Sequence, residues 1–144
     1  MKYIHYGHTR FDPEWFQTPT NLTYWNMPKG GLWASAENAP YGWGQWCAEN
    51  DFSECNLNKS FAFHLKDNAR VHRIDNIGDV SQLPLQSGME ELTTLKPIDF
   101  EKLMEDGVDA IEFNLSKDYR LYWKLYGWDC DCILVLNPNV IEED

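Results

Sequence analysis

Residues 129–136 read Asp129-Cys130-Asp131-Cys132-Ile133-Leu134-Val135-Leu136, and the apolar run that closes this stretch decides the fold class. Cys130 to Leu136, closed by that run, reads as a buried strand. Asn137-Pro138 ends it, because proline has no N–H to give a ladder. Working outward, Phe61, Phe63 and Leu65 alternate with Ala62, His64 and Lys66, the period of a half-buried strand. Tyr3 to Tyr6, Gly31 to Ser35, Arg70 to Asp75 and Val108 to Phe113 add four more strands. The clearest helix runs from Asp99 to Asp106. Asp99 can cap its first amides, Phe100, Leu103 and Met104 make one apolar stripe, and Gly107 stops it. Tyr41 to Asn50 is a second helix, with Trp43, Trp46 and Cys47 at helical spacing, and Gly78 to Leu83 predicts a helical turn before Pro84. Phe11 to Asn26 and Leu85 to Pro97 read as loops, and Asp118 to Trp128 is loop or helix. Strands with a few segregated helices make an α+β domain; the strand pairing is not written in the sequence.

The chain has 144 residues, which fits one domain. Hydrophobic residues at 43% and aromatics at 15% exclude a disordered chain. A mean hydropathy of -0.55 without a run of about 20 apolar residues excludes a membrane-spanning helix. The opening Met1-Lys2-Tyr3-Ile4-His5-Tyr6-Gly7 lacks the apolar core of a signal peptide, so a cytoplasmic protein is expected.

Lys and Arg number 12 against 23 Asp and Glu, a formal net charge of -11. Such a chain is repelled by nucleic-acid phosphates, and the sole basic cluster, Lys66, Arg70, His72 and Arg73, is weak. A nucleic-acid partner is therefore disfavoured. The acidity reads as solubility more readily than as mimicry of a nucleic acid, because the carboxylates are spread along the chain. The four cysteines, Cys47, Cys55, Cys130 and Cys132, are too sparse for a disulfide scaffold. Their spacing is wrong for paired zinc ligands, so buried thiols are expected and no metal.

Three patches could carry chemistry. His5-Tyr6-Gly7 sits in the first strand, with His8 beside it. Lys29-Gly30-Gly31-Leu32-Trp33-Ala34-Ser35 follows, with Tyr41 beyond: the glycines allow close backbone approach, and Trp33 and Tyr41 offer flat faces for a ring. Asp129 and Asp131 lie at the mouth of the apolar strand, where a carboxylate feels desolvation. Each patch alone is as readily a turn, a core aromatic or a strand end.

Their order resembles the ADP-ribosyltransferase fold, in the class with a histidine, an aromatic and an acidic residue on three motif strands. His5-Tyr6-Gly7 looks like the first motif, Gly31-Leu32-Trp33-Ala34-Ser35 with Tyr41 is similar to the second, and Cys130-Asp131-Cys132-Ile133-Leu134-Val135 aligns with the third. The resemblance implies small, twisted, mostly antiparallel sheets with flanking helices, and NAD as substrate. It implies cleavage between nicotinamide and ribose, with ADP-ribose passed to a protein or small-molecule acceptor or to water. Asp131 would stabilise the positive charge that develops on the ribose, with Asp129 in reserve. His5 would orient the adenosine half. Tyr6 and Gly31 would line the site, Trp33 and Tyr41 would sandwich the nicotinamide ring with about 0.5–2 kcal/mol of cation–π attraction, and Ser35 would bond near its ribose. Two departures stand out: Trp33 replaces tyrosine, and Asp131 replaces glutamate, one methylene shorter. By analogy such a chain suits a bacterial or phage effector. The alternative is a protein without catalysis, either a dead transferase fold or an acidic inhibitor that covers a basic surface with its tryptophans. Transfer requires His5, Trp33, Tyr41 and Asp131 to meet in one cleft.

Overall fold

The computed structural model describes residues 1–22, 27–50, 57–86, 98–125, 128 and 130–144. Its strands are β1 (Tyr3–Tyr6), β2 (Leu32–Ala36), β3 (Ser60–Leu65), β4 (Val71–Ile74), β5 (Ala110–Phe113), β6 (Cys132–Val135) and β7 (Ile141–Glu143). The helices are α1 (Trp43–Asn50), α2 (Ile77–Val80), α3 (Phe100–Glu105) and α4 (Leu121–Lys124). The strands form one open sheet in the order β4-β5-β6-β2-β1-β3-β7, mixed with a few helices. Every pairing is antiparallel except β4 with β5. That parallel pair needs a long crossover, which carries α2 and α3.

The apolar run is the centre of the design. β6 pairs with β2 on one side and β5 on the other, and all four of its residues are buried. Alternation sends Cys132 and Leu134 into a core shared with Ile74, Phe100, Leu103, Phe113 and Trp128. Ile133 and Val135 enter a second core with Tyr3, Leu32, Phe61 and Phe63 across the sheet. Full burial of each such aliphatic side chain contributes about 1.5–3 kcal/mol, so the two cores hold β6 from both faces. α3 forms as its sequence requires: the Asp99 carboxylate accepts from the Lys102 N–H, and Phe100 and Leu103 are buried.

The β1–β2 ladder is short. It holds only Tyr3 opposite Ala36 and Ile4 opposite Ser35. Beyond that point His5 and Tyr6 pair with β3, while Leu32, Trp33 and Ala34 pair with β6. The sheet therefore opens between β1 and β2 from His5 onward.

Several expectations shift. α1 begins at Trp43, so Tyr41 precedes the helix instead of lying in it. The helical turn expected at Gly78 to Leu83 lies at Ile77–Val80, where Asn76 and Asp79 cap each other's backbone. β7 was not expected, because two of its three residues are glutamates; it pairs along β3 at the sheet edge. Cys47 is buried and disulfide-bonded, against the expectation of four thiols, since low cysteine density does not forbid a single bridge. Cys130 and Cys132 are buried free thiols. Burial and the neighbouring Cys130 push the Cys132 thiol up, which keeps it protonated and inert. Cys55 and most of the loop from Leu85 to Pro97 lie outside the described residues.

Candidate functional site

The mouth of β6 is tied to β2 and to the start of α1. Asp131 is 3% exposed. Its N–H donates to the Tyr41 carbonyl at 2.8 Å, and its carbonyl accepts from the Ser35 hydroxyl at 2.7 Å. Ser35 Oγ in turn accepts from the Trp43 N–H at 2.7 Å, which caps α1. The Asp131 carboxylate takes three hydrogen bonds. Oδ1 accepts from the Ser116 N–H at 2.8 Å, and Oδ2 accepts from the Ser116 hydroxyl at 2.5 Å and the Tyr41 N–H at 3.2 Å. A carboxylate buried this deeply has to be satisfied in this way.

Two glycines let α1 come so close. A Cβ on Gly42 would stand 2.8 Å from Ser35 Cβ, and one on Gly44 would stand 2.8 Å from the Tyr6 hydroxyl oxygen. Between β1, β2 and α1 lies a cavity of about 470 Å³, lined by Ile4, Tyr6, Ser35, Glu37, Gly44 and Gln45 among others. The Tyr41 hydroxyl donates to Glu49 at 2.6 Å, and that bond is the main reason its phenol is pushed up to about 12. Trp33 packs edge-on against Trp43 with ring centroids 6.2 Å apart, and at 5.0 Å against Trp128. Among the described residues the Trp43 indole N–H is the buried side-chain donor left without a partner. An orphan of that kind costs about 1–3 kcal/mol.

His5 is elsewhere. By alternation it shares the face of Tyr3, and its ring lies beside Trp15, His8 and Phe61. The carboxylate of Asp131 is held by Tyr41 and Ser116 instead. The expected meeting of His5 with Asp131 does not occur: their side chains share no partner, His5 being engaged by Trp33, His8, Trp15 and Phe61 and Asp131 by Tyr41 and Ser116. At the opening of the sheet His5 Nδ1 donates to the Trp33 carbonyl at 2.7 Å. Burial lowers its pKa to about 4, so the ring is neutral.

Of the residues named from sequence, Ser35, Tyr41 and Asp131 are joined directly, and Tyr6 borders the same cavity. Trp33 packs into the core on that side. Gly31 serves packing: its φ is +78°, and a Cβ there would lie 2.5 Å from Leu134 Cδ1. Asp129 is outside the described residues. Sequence reading missed Glu112, which is 7% exposed in β5, accepts from Arg73 Nε at 3.1 Å and stands beside the Tyr3 phenol. A lone acid inside Ala110-Ile111-Glu112-Phe113 was the available signal.

Among the described residues no group of His, Cys, Asp and Glu is arranged to hold a metal ion, and no helix is long and apolar enough to cross a membrane. Comparison with models of protein families, with curated proteins and with solved structures finds no match for this chain.

Proposed function

We propose that this chain binds NAD in the cavity between β1, β2 and α1 without transferring ADP-ribose: transfer would need His5 and Asp131 in one cleft, and the two share no contact. The observation that supports this reading is the joining of Ser35, Tyr41 and Asp131, which are far apart in sequence, beside a cavity lined by Ser35 and Tyr6. The orphaned Trp43 N–H next to Trp33 is a donor that a carboxamide oxygen would satisfy. NAD would supply a glycosidic bond whose neutral leaving group is nicotinamide. Under active transfer Asp131 would face the charge that develops on the ribose, but its carboxylate is held by Ser116 and Tyr41 and does not line the cavity. In this reading His5 shapes the opening of the sheet and touches no ribose.

Both Asp131 oxygens are already taken by the protein's own donors, as in a dead transferase fold. The second reading is active ADP-ribosyl transfer or NAD hydrolysis, favoured by the joining of Ser35, Tyr41 and Asp131.

Proton NMR of NAD turnover separates the two, with wild type beside Asp131→Asn and folding checked by circular dichroism. Nicotinamide release that the folded variant loses supports transfer. NAD-induced shifts at Tyr6 and Ser35 without release support the binding reading. Absence of both release and shifts overturns NAD as the ligand, and pull-down with basic proteins then tests the acidic-inhibitor alternative.

A further inference from the structure

His8, beside the first motif, is left unused by this reading, and its surroundings point to a ligand of its own. The Trp33 carbonyl can only accept, so His5 must carry its proton on Nδ1. Its Nε2 is then a bare acceptor, 2.9 Å from His8 Nδ1. His8 must therefore donate from Nδ1, which leaves the lone pair of His8 Nε2 without a partner in this chain of bonds. The His8 ring is fixed a second time, stacked on Trp15 with centroids 3.8 Å apart and planes 8° from parallel. A chain of one carbonyl and two imidazoles thus presents a single, oriented nitrogen.

His8 lines a pocket of about 260 Å³ formed by the 7–10 turn, Asp12, Trp15 and Lys59. The cations there are Arg10 and Lys59. The facing carboxylate is Asp12, which pairs with Arg10 at 3.4 Å and accepts from the Glu14 N–H at 2.9 Å. Lys59 has no ion-pair partner among the described residues, and its charge helps to hold His8 neutral. Two local cations against one carboxylate is the reverse of the whole-chain balance of -11. Distant carboxylates are screened over about 8 Å at physiological ionic strength, so the local excess decides what enters.

We propose that this pocket binds a phosphoryl group, held by Lys59, Arg10 and the Thr9 hydroxyl, with His8 taking up a proton on Nε2 to face it. The resulting imidazolium keeps its Nδ1–H bond to the neutral His5 and lies on the indole of Trp15, where a cation is favoured. The inference does not rest on NAD, since the pocket is lined by His8 and not by Asp131.

The test is titration of the wild-type chain with inorganic phosphate, followed at the His8 ring protons. A saturable shift is expected, together with a rise in the His8 titration midpoint in saturating phosphate. By the linkage of charge and binding, the exposed variants Lys59→Ala and Arg10→Ala should each weaken phosphate by about fivefold or more. AMP in a parallel arm distinguishes sources: affinity equal to phosphate assigns a free phosphoryl group, and tighter binding with a shift at Trp15 assigns a nucleotide. No saturable shift at His8, an unmoved midpoint, or a Lys59→Ala chain that binds as well as wild type overturns the proposal. A positive result stands even if NAD yields no nicotinamide.

Discussion

Removing the Asp131 side chain should cost this domain several kcal/mol before any question of catalysis arises. Its carboxylate accepts from two backbone N–H groups, on Tyr41 and Ser116, and from the Ser116 hydroxyl. In Asp131→Ala the hydroxyl can rotate to a new partner, but the two N–H groups cannot. Each buried donor left unsatisfied costs about 1–3 kcal/mol, so the pair sums to about 2–6 kcal/mol. Against a total stability of about 5–15 kcal/mol for a domain of ordinary size, that is a large fraction. Asp131→Asn keeps one oxygen and should lose about half as much. Urea unfolding at neutral pH, followed by tryptophan fluorescence, measures both. A loss under about 1 kcal/mol for the alanine variant would refute the reasoning, because it would mean that water satisfies the donors and the carboxylate is not the tie between β6, Tyr41 and Ser116. The outcome also decides how an activity assay is to be read: a dead alanine variant that is partly unfolded says nothing about chemistry, whereas a folded asparagine variant does.

Gly31→Ala should be strongly destabilising, by about 3 kcal/mol, since a left-handed backbone and an overpacked contact with Leu134 add together; a midpoint in urea unchanged from wild type would count against it. His64 donates from both ring nitrogens, to Asp144 at 2.6 Å and Glu142 at 2.8 Å, and these carboxylates raise its pKa. A histidine raised above its unfolded value stabilises fully below that value and loses the effect as pH rises through the folded pKa. The protection factors of the β7 amides, exchange rates corrected for intrinsic base catalysis, should therefore be highest in mild acid and fall through that window, and His64→Gln should flatten that pH dependence.

The strands were legible where hydrophobic pattern alone forms them. Ile133 to Leu136 has no polar residue to place outward, and Phe61, Phe63 and Leu65 keep a strict period of two, so β6 and β3 could be read directly. β7 could not, because Glu142 and Glu143 have little intrinsic preference for a strand; Glu142 is held by His64 across the ladder, 78 residues away, and Glu143 accepts from the Phe11 N–H. The same distinction governs the site. Ser35, Tyr41 and Asp131 are joined by hydrogen bonds, but their chemistry was read from residue type, and type does not show that the carboxylate is already occupied. The face of His5 depended on register. One residue of slip would have turned it toward α1, and nothing in Tyr3-Ile4-His5-Tyr6 fixes which way it points.

That dependence makes His5 the most informative position left to perturb. The β1–β2 ladder stops at Ile4, and the Trp33 carbonyl beyond it is bonded by the His5 ring. Two consequences separate a wedge from a passive core residue. The first is pH. The folded pKa, about 4, lies below the unfolded value near 6.5. Between those values the unfolded chain binds more protons, so stability rises with pH, and it falls as pH drops below 6.5 until it levels near 4. With those two values the loss from this group at pH 5 is about 2 kcal/mol. The second is the donor itself. His5→Phe keeps a flat ring against Trp15 and Phe61 but leaves the Trp33 carbonyl without its bond, which costs about 1–3 kcal/mol at neutral pH. His5→Asn restores a donor near the Nδ1 position and should recover part of that cost, although it fills less space. Urea unfolding of the three chains at pH 7 and pH 5 tests both consequences together. Wild type alone should lose the 2 kcal/mol; if His5→Phe loses as much, the acid sensitivity belongs to other groups and His5 is packing, not the wedge that keeps β1 and β2 apart.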